Sequence, residues 1–124
     1  MTAKTITRTE DGVQIAYPQT ARLIDESQIQ EVANELMEII NSIDQDRLLV
    51  NFSTVGFMGS AMIGKLIMLD KKCKSLHLDM RLCCLNDNIM EVFRLMKLDT
   101  VFKIYDDEST AVKQFKEHKK KWYV

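Results

Sequence analysis

The run Arg47-Leu-Leu-Val-Asn-Phe52 constrains the fold of this chain more than any other feature. It is apolar in the main, of strand length, and set between two segments of helical period. Such a run predicts a central strand covered on both faces, as in sheets with helices packed against them. Before it, Ile29, Val32, Ala33, Leu36, Ile39 and Ile40 recur at spacings of three and four. That spacing predicts a helix from Glu26 to about Ser42, with Asp25 or Ser27 at its start. After it comes a loop, Ser53 to Gly59, and then a second helical stripe of Met62, Leu66, Leu69 and Cys73. Ile63 and Ile67 widen that stripe, and Lys71, Lys72 and Lys74 lie on the outer face of a helix from Ser60 to about Ser75.

The rest of the chain continues the alternation. Residues 3–9 and 12–17 are rich in β-branched and aromatic types, and Asp11-Gly12 between them is a hairpin signal. Residues 79–85 read as a strand, with Cys83 and Cys84 on opposite faces. Asn88 to Met96 reads as a short helix with Ile89, Val92, Phe93 and Met96 inward. Val101 to Tyr105 reads as a last strand. Asp106-Asp107-Glu108-Ser109 places acid at the start of a final helix through about Lys120, where the helix dipole favours it. The order β-β-α-β-α-β-α-β-α predicts an α/β fold: a mixed, mostly parallel sheet with an N-terminal β-hairpin and helices packed against it. With 124 residues, one proline, four glycines and no linker-like tract, a single domain over residues 1–124 is expected.

Several function classes are disfavoured by what the chain lacks. A formal net charge of -1 gives no electrostatic ground for binding nucleic acid. The lysines at 116, 119, 120 and 121 are accounted for as a solvated helix end. The longest apolar stretch, Ala61 to Leu69, is interrupted and too short for membrane insertion, and no leader-like segment opens the sequence. Three cysteines, two of them adjacent, fit reduced thiols in a cytoplasmic protein better than a disulfide framework. His77 and His118 stand outside any metal-ligand spacing, and no phosphate-cradling glycine motif occurs. No catalytic residue, metal or cofactor is expected.

The remaining signal is the loop and helix start over residues 51–66. A serine after glycine at the head of an amphipathic helix reads as an N-cap, and Ser60 holds that position. Its hydroxyl would sit beside the helix's unpaired N–H groups, where a phosphate meets a favourable dipole. Ser53 and Thr54 are further hydroxyls in the same loop. Met58 and Met62, on either side of Ser60, fit a soft contact surface, but core filling is the more ordinary account of methionines.

The segment Val50-Asn-Phe-Ser-Thr-Val-Gly-Phe-Met-Gly-Ser-Ala-Met-Ile-Gly64 resembles the signature loop of the STAS domain, the fold of bacterial anti-sigma factor antagonists. Ala21 to Asp25 resembles the turn before that family's first helix. Met96 to Tyr105 resembles its late helix–loop–strand, and Asp107 to Val112 the opening of its last helix. The resemblance implies a non-enzymatic regulator of transcription that binds an anti-sigma factor with a histidine-kinase-like fold. It implies phosphorylation of the signature serine, here Ser60, which breaks that complex, and a serine phosphatase that resets it. The contact surface would include Ser53, Thr54, Met58, Gly59, Ser60, Ala61, Met62 and Gly64. Family switches usually carry Asp-Ser-Ser-Gly where this chain has Gly59-Ser60-Ala61-Met62. Two other roles stay open: a non-phosphorylated STAS subunit of a signalling scaffold or membrane transport complex, and a small-ligand sensor.

Overall fold

The computed structural model describes residues 4–120, with side chains through Lys116. Its order is β1 (Ile6–Glu10), β2 (Val13–Tyr17), β3 (Arg22–Leu23), α1 (Glu26–Ser42), β4 (Arg47–Asn51), β5 (Phe57–Met58) and α2 (Ser60–Ser75). There follow β6 (Asp79–Cys83), α3 (Asp87–Leu95), a 3-10 turn (Leu98–Thr100), β7 (Ile104–Tyr105) and α4 (Glu108–Lys120). Five strands form one sheet in the order β1-β2-β4-β6-β7. Only β1 and β2 pair antiparallel; β2–β4, β4–β6 and β6–β7 are parallel. The expected mostly parallel sheet with a leading hairpin is therefore present. Asp11 and Gly12 both have positive φ (52° and 78°), the geometry that a two-residue hairpin turn needs to match strand twist.

The strand at 47–51 is buried at every position. Its alternation divides the core in two. Leu48 and Val50 join Met80, Leu82 and Ala16 under α1, α2 and α3, where Leu36, Met62, Leu66 and Phe93 fill the larger cluster. Leu49 joins Val13, Ile15 and Cys83 under α4, packed by Ala111, Val112 and Phe115. Burying a side chain of this size contributes about 1.5–3 kcal/mol, so both layers are held chiefly by apolar contact.

Four expectations need correction. The last strand is only Ile104–Tyr105, because the chain passes through a 3-10 turn and Phe102 is drawn into the core, leaving Val101 exposed. Along α3, Val92 and Met96 are exposed rather than inward; only Ile89 and Phe93 are buried. The strand at 79 ends at Cys83, and Cys84 has a φ of 63°, so the two cysteines do not face opposite ways. Finally, a second sheet, β3 beside β5, was not expected from the sequence. Lys116 pairs with Asp11 at 3.2 Å. The side chains of Lys119, Lys120 and His118, and all of Lys121, lie outside the described residues.

Candidate functional site: the loop and helix start at 51–64

The loop leaves the carboxyl end of β4 and is pinned at several points. Asn51 turns it first: its Oδ1 accepts from the Ser53 amide at 2.8 Å, and its Nδ2 donates to Glu108 Oε1 at 2.9 Å. Val55 is buried, anchoring the middle of the loop. β3 then holds the return: the Gly56 amide donates to the Ala21 carbonyl at 2.7 Å, and the Gly59 amide to the Leu23 carbonyl at 2.8 Å. From the other side, Asn86 Nδ2 donates to the Gly56 carbonyl at 2.9 Å.

This pinning fixes how α2 begins. Gly59, not Ser60, is the residue at the N-cap, with extended φ and ψ and no side chain to offer. Ser60 is the first helical residue, so its expected role as the cap does not hold. Its hydroxyl is exposed and has no hydrogen-bond partner among the described residues. The Met62 and Ile63 amides reach the Gly59 carbonyl at 3.0 and 3.3 Å. The Ser60 and Ala61 amides have no protein acceptor among the described residues, as expected of the first turn of a helix.

The other expected contact residues divide by burial. Ser53, Thr54, Ala61 and Gly64 are exposed, and Met58 and Gly59 are half-buried. Met62 is fully buried in the core, which removes it from any contact surface and settles its role as packing. A β-carbon on Gly64 would meet nothing within 4 Å, so its absence there keeps that part of the face low and flat.

Other exposed groups beside the loop were not anticipated. Phe57, 51% exposed, lies under the Arg22 guanidinium at 4.5 Å from its ring centre. Ile24 and Met68 are 47% and 60% exposed, the latter four residues beyond Gly64 on α2. The recurrence of Ala61, Gly64 and Met68 at spacings of three and four was present in the sequence, masked by the stronger inward stripe.

A polar network supports the loop from beneath. Glu108 accepts from Tyr17 Oη at 2.6 Å, from Asn51 and from Arg8 Nη2 at 2.6 Å. Burial pushes its carboxyl up, but these three donors outweigh that and hold it below the usual carboxylate range. The helix starts differ in charge as well. α1, α3 and α4 carry Glu26, Asp87 and Glu108 in their first turns, and α2 carries no acid there.

The family model of the STAS domain matches residues 7–111, spanning the hairpin, the loop, α2 and the opening of α4. The chain belongs to the STAS-domain family. Solved STAS structures repeat its fold. An anti-sigma-factor antagonist (STAS) domain protein from Planctomyces limnophilus is 21% identical, with a TM-score of 0.76 over 89% of this chain and 96% of that one. An anti-sigma factor antagonist from Mycobacterium paratuberculosis is 18% identical, with a TM-score of 0.77 over 92% and 97%. The Bacillus cell fate determinant SpoIIAA, solved in its phosphorylated form, is 13% identical, with a TM-score of 0.66 over 90% and 98%.

Among the described residues no STAS-domain element here is long and apolar enough to cross a membrane as a helix, and no group of three metal-ligating side chains converges. An open cleft between Asp70, Lys74, His77, Asp79 and Lys103 lies by the carboxyl end of α2, away from the loop.

Proposed function

We propose that this STAS domain is an anti-sigma factor antagonist that binds an anti-sigma factor of histidine-kinase-like fold. The contact surface is the exposed part of the 53–64 loop and helix, Ser53, Thr54, Ser60, Ala61 and Gly64, together with half-buried Gly59, and with Phe57 and Arg22 at its edge. Phosphorylation of Ser60 by that partner breaks the complex, and a serine phosphatase restores it. Family membership and the likeness to SpoIIAA, solved in its phosphorylated form, support the reading.

The observation that carries it is the setting of Ser60. Its hydroxyl is exposed and unbonded at a helix start with neither an acid nor a side-chain cap. A phosphate added there gains from the helix dipole and from unpaired amides, so it changes the surface without unfolding the helix. The test is affinity for an anti-sigma factor of histidine-kinase-like fold. Ser60→Asp should weaken binding about tenfold or more, corresponding to at least ~1.4 kcal/mol, whereas Ser60→Ala should bind like the native protein. Equal affinity for the native, Asp and phosphorylated forms would refute the switch.

A further inference from the structure

We propose that Cys83 and Cys84 form a redox-modifiable vicinal dithiol whose oxidation to a disulfide loosens the loop at 53–59. The inference goes beyond the proposed partner and does not depend on it. In a continuous strand, adjacent side chains point to opposite faces. Here β6 stops at Cys83 and Cys84 takes a left-handed conformation, φ 63°, uncommon for a residue with a β-carbon. The turn swings the second thiol back beside the first, with the Cys84 Sγ–H donating to Cys83 Sγ at 3.6 Å. Cys83 is buried and Cys84 half-buried. The third cysteine, Cys73, belongs to the core on the other face of the sheet and cannot compete.

Two hydrogen bonds connect this turn to the loop, and a third ties Cys84 to β7. The Cys83 carbonyl accepts from the Phe52 amide at 3.0 Å, at the point where β4 gives way to the loop. The Cys84 amide donates to the Tyr105 carbonyl at 3.1 Å. Two residues on, Asn86 braces the Gly56 carbonyl and caps α3. A shift of the backbone at 83–84 therefore reaches the loop through Phe52 and through Asn86.

The chemistry balances with a peroxide as oxidant. The Cys84 thiolate, on the more accessible side, attacks one oxygen of hydrogen peroxide; the O–O bond breaks, and after proton transfer Cys84 is a sulfenic acid and one water leaves. Cys83 sulfur then attacks the Cys84 sulfur, the S–O bond breaks, and a second water carries away the oxygen and the thiol proton. Burial, then the neighbouring Cys84, Glu108 and Asp107, push the Cys83 thiol up, so Cys83 is not the thiol that meets peroxide first; its place beside the Cys84 sulfur, at 3.6 Å, brings it into the second step. Adjacent α-carbons are about 3.8 Å apart, closer than the roughly 4.4–6.8 Å of ordinary disulfides. Closing the ring must move the backbone, and the strained bond is readily reduced again.

The test uses the full chain, treated with hydrogen peroxide, alkylated while unfolded, and measured by intact mass and peptide mapping. The expected product has lost two hydrogens, with Cys83 and Cys84 unalkylated, Cys73 alkylated, and full reversal by dithiothreitol. Hydrogen exchange at the Gly56, Phe57 and Gly59 amides should be faster in the oxidised form by about threefold or more. The conservative variants Cys83→Ser and Cys84→Ser should each abolish the intrachain product while leaving the reduced-state exchange pattern in place. Alkylation of both cysteines after oxidation, or a higher oxide at Cys84 in place of the disulfide, would overturn the site. A disulfide with unchanged exchange at those amides would overturn the coupling to the loop.

Discussion

Two helices begin at the carboxyl end of the sheet's parallel strands, beside the same loop, and they are finished differently. α3 starts at Asn86, whose Oδ1 accepts from the Ile89 amide at 2.9 Å, and Asp87 adds an acid to its first turn. α2 starts at Gly59, which offers no side chain, and its first turn carries no acid. At α3 a side chain at the helix's own start takes one of the first amides and an acid meets the dipole. At α2 neither is present, and the helix must be held in place by something else. Met62 and Ile63, buried in the first turn just behind Ser60, supply that hold. The division leaves the hydroxyl at 60 free of structural duty, which is what a site of modification requires.

The sharpest test of that division sets Met62 against Ser60. Met62→Ala should cost about 2–4 kcal/mol, because a fully buried side chain leaves a cavity under the helix. Ser60→Ala, two residues earlier, should change stability by less than about 0.5 kcal/mol. Urea unfolding of the two variants decides it. A comparable cost at both positions would mean that Ser60 serves the fold after all.

Asn86→Ala comes next in size. It removes a helix cap and the brace on the Gly56 carbonyl together, for about 1–2 kcal/mol. Asn86→Asp retains the cap acceptor but not the brace, so the difference between the two variants isolates the loop's share. If they unfold at the same urea concentration, the 53–59 loop draws no support from α3's start.

The long helices were legible in the sequence because one strong period governs each: α1 at Glu26–Ser42 and α2 at Ser60–Ser75 match their apolar stripes. The β4 strand was legible for the same reason, in its lack of any solvent face. What escaped was short or long-range. β3 and β5 have two residues each, too few to show alternation, and they exist because Gly56 and Gly59 bring their amides against 21–23. The turn at Cys84 depends on a backbone angle that its own side chain gives no reason to expect. Glu108 read as a helix-start acid, which it is, yet its ties to Arg8, Tyr17 and Asn51 cross 100, 91 and 57 positions of chain. Of the site itself, the serine and the loop were visible; the absence of a side-chain cap was visible only as a glycine.

Those ties make the loop sensitive to acid in a way that α3's start is not. Glu108 is held below its ordinary value of 4.5 by donors that exist only in the folded chain. A carboxyl lowered on folding adds stability above its unfolded value and loses it as pH falls through the folded one. Stability should therefore decline as the pH drops below about 4.5, and Glu108→Gln should flatten that part of the profile. Amide exchange at Ser53, bonded to Asn51, should rise over the same interval in the native protein and be independent of pH in the variant, after correction for intrinsic exchange. An unchanged acid profile in Glu108→Gln would place the sensitivity elsewhere.

The smallest expected effect asks whether the open end of α2 can be closed. Gly59 has extended backbone angles, and a β-carbon there would meet the Leu23 carbonyl at 3.5 Å and the Ile24 α-carbon at 3.8 Å, both ordinary contacts. Gly59→Asp therefore places a capping carboxylate beside the unpaired Ala61 amide without strain, and should raise stability by a few tenths of a kcal/mol, about 0.3–1 with the dipole included. Gly59→Asn supplies the cap without the charge and should give the lower part of that range. Ser60→Asp draws on the same helix end. Combined with Gly59→Asp, it should stabilise by less than the sum of the two, since two neighbouring carboxylates repel and share the same few amides. A double-mutant cycle by thermal or urea unfolding measures the shortfall. Full additivity would mean that residues 59 and 60 do not compete for the same end of α2, and that a charge on Ser60 is received by some other part of the surface.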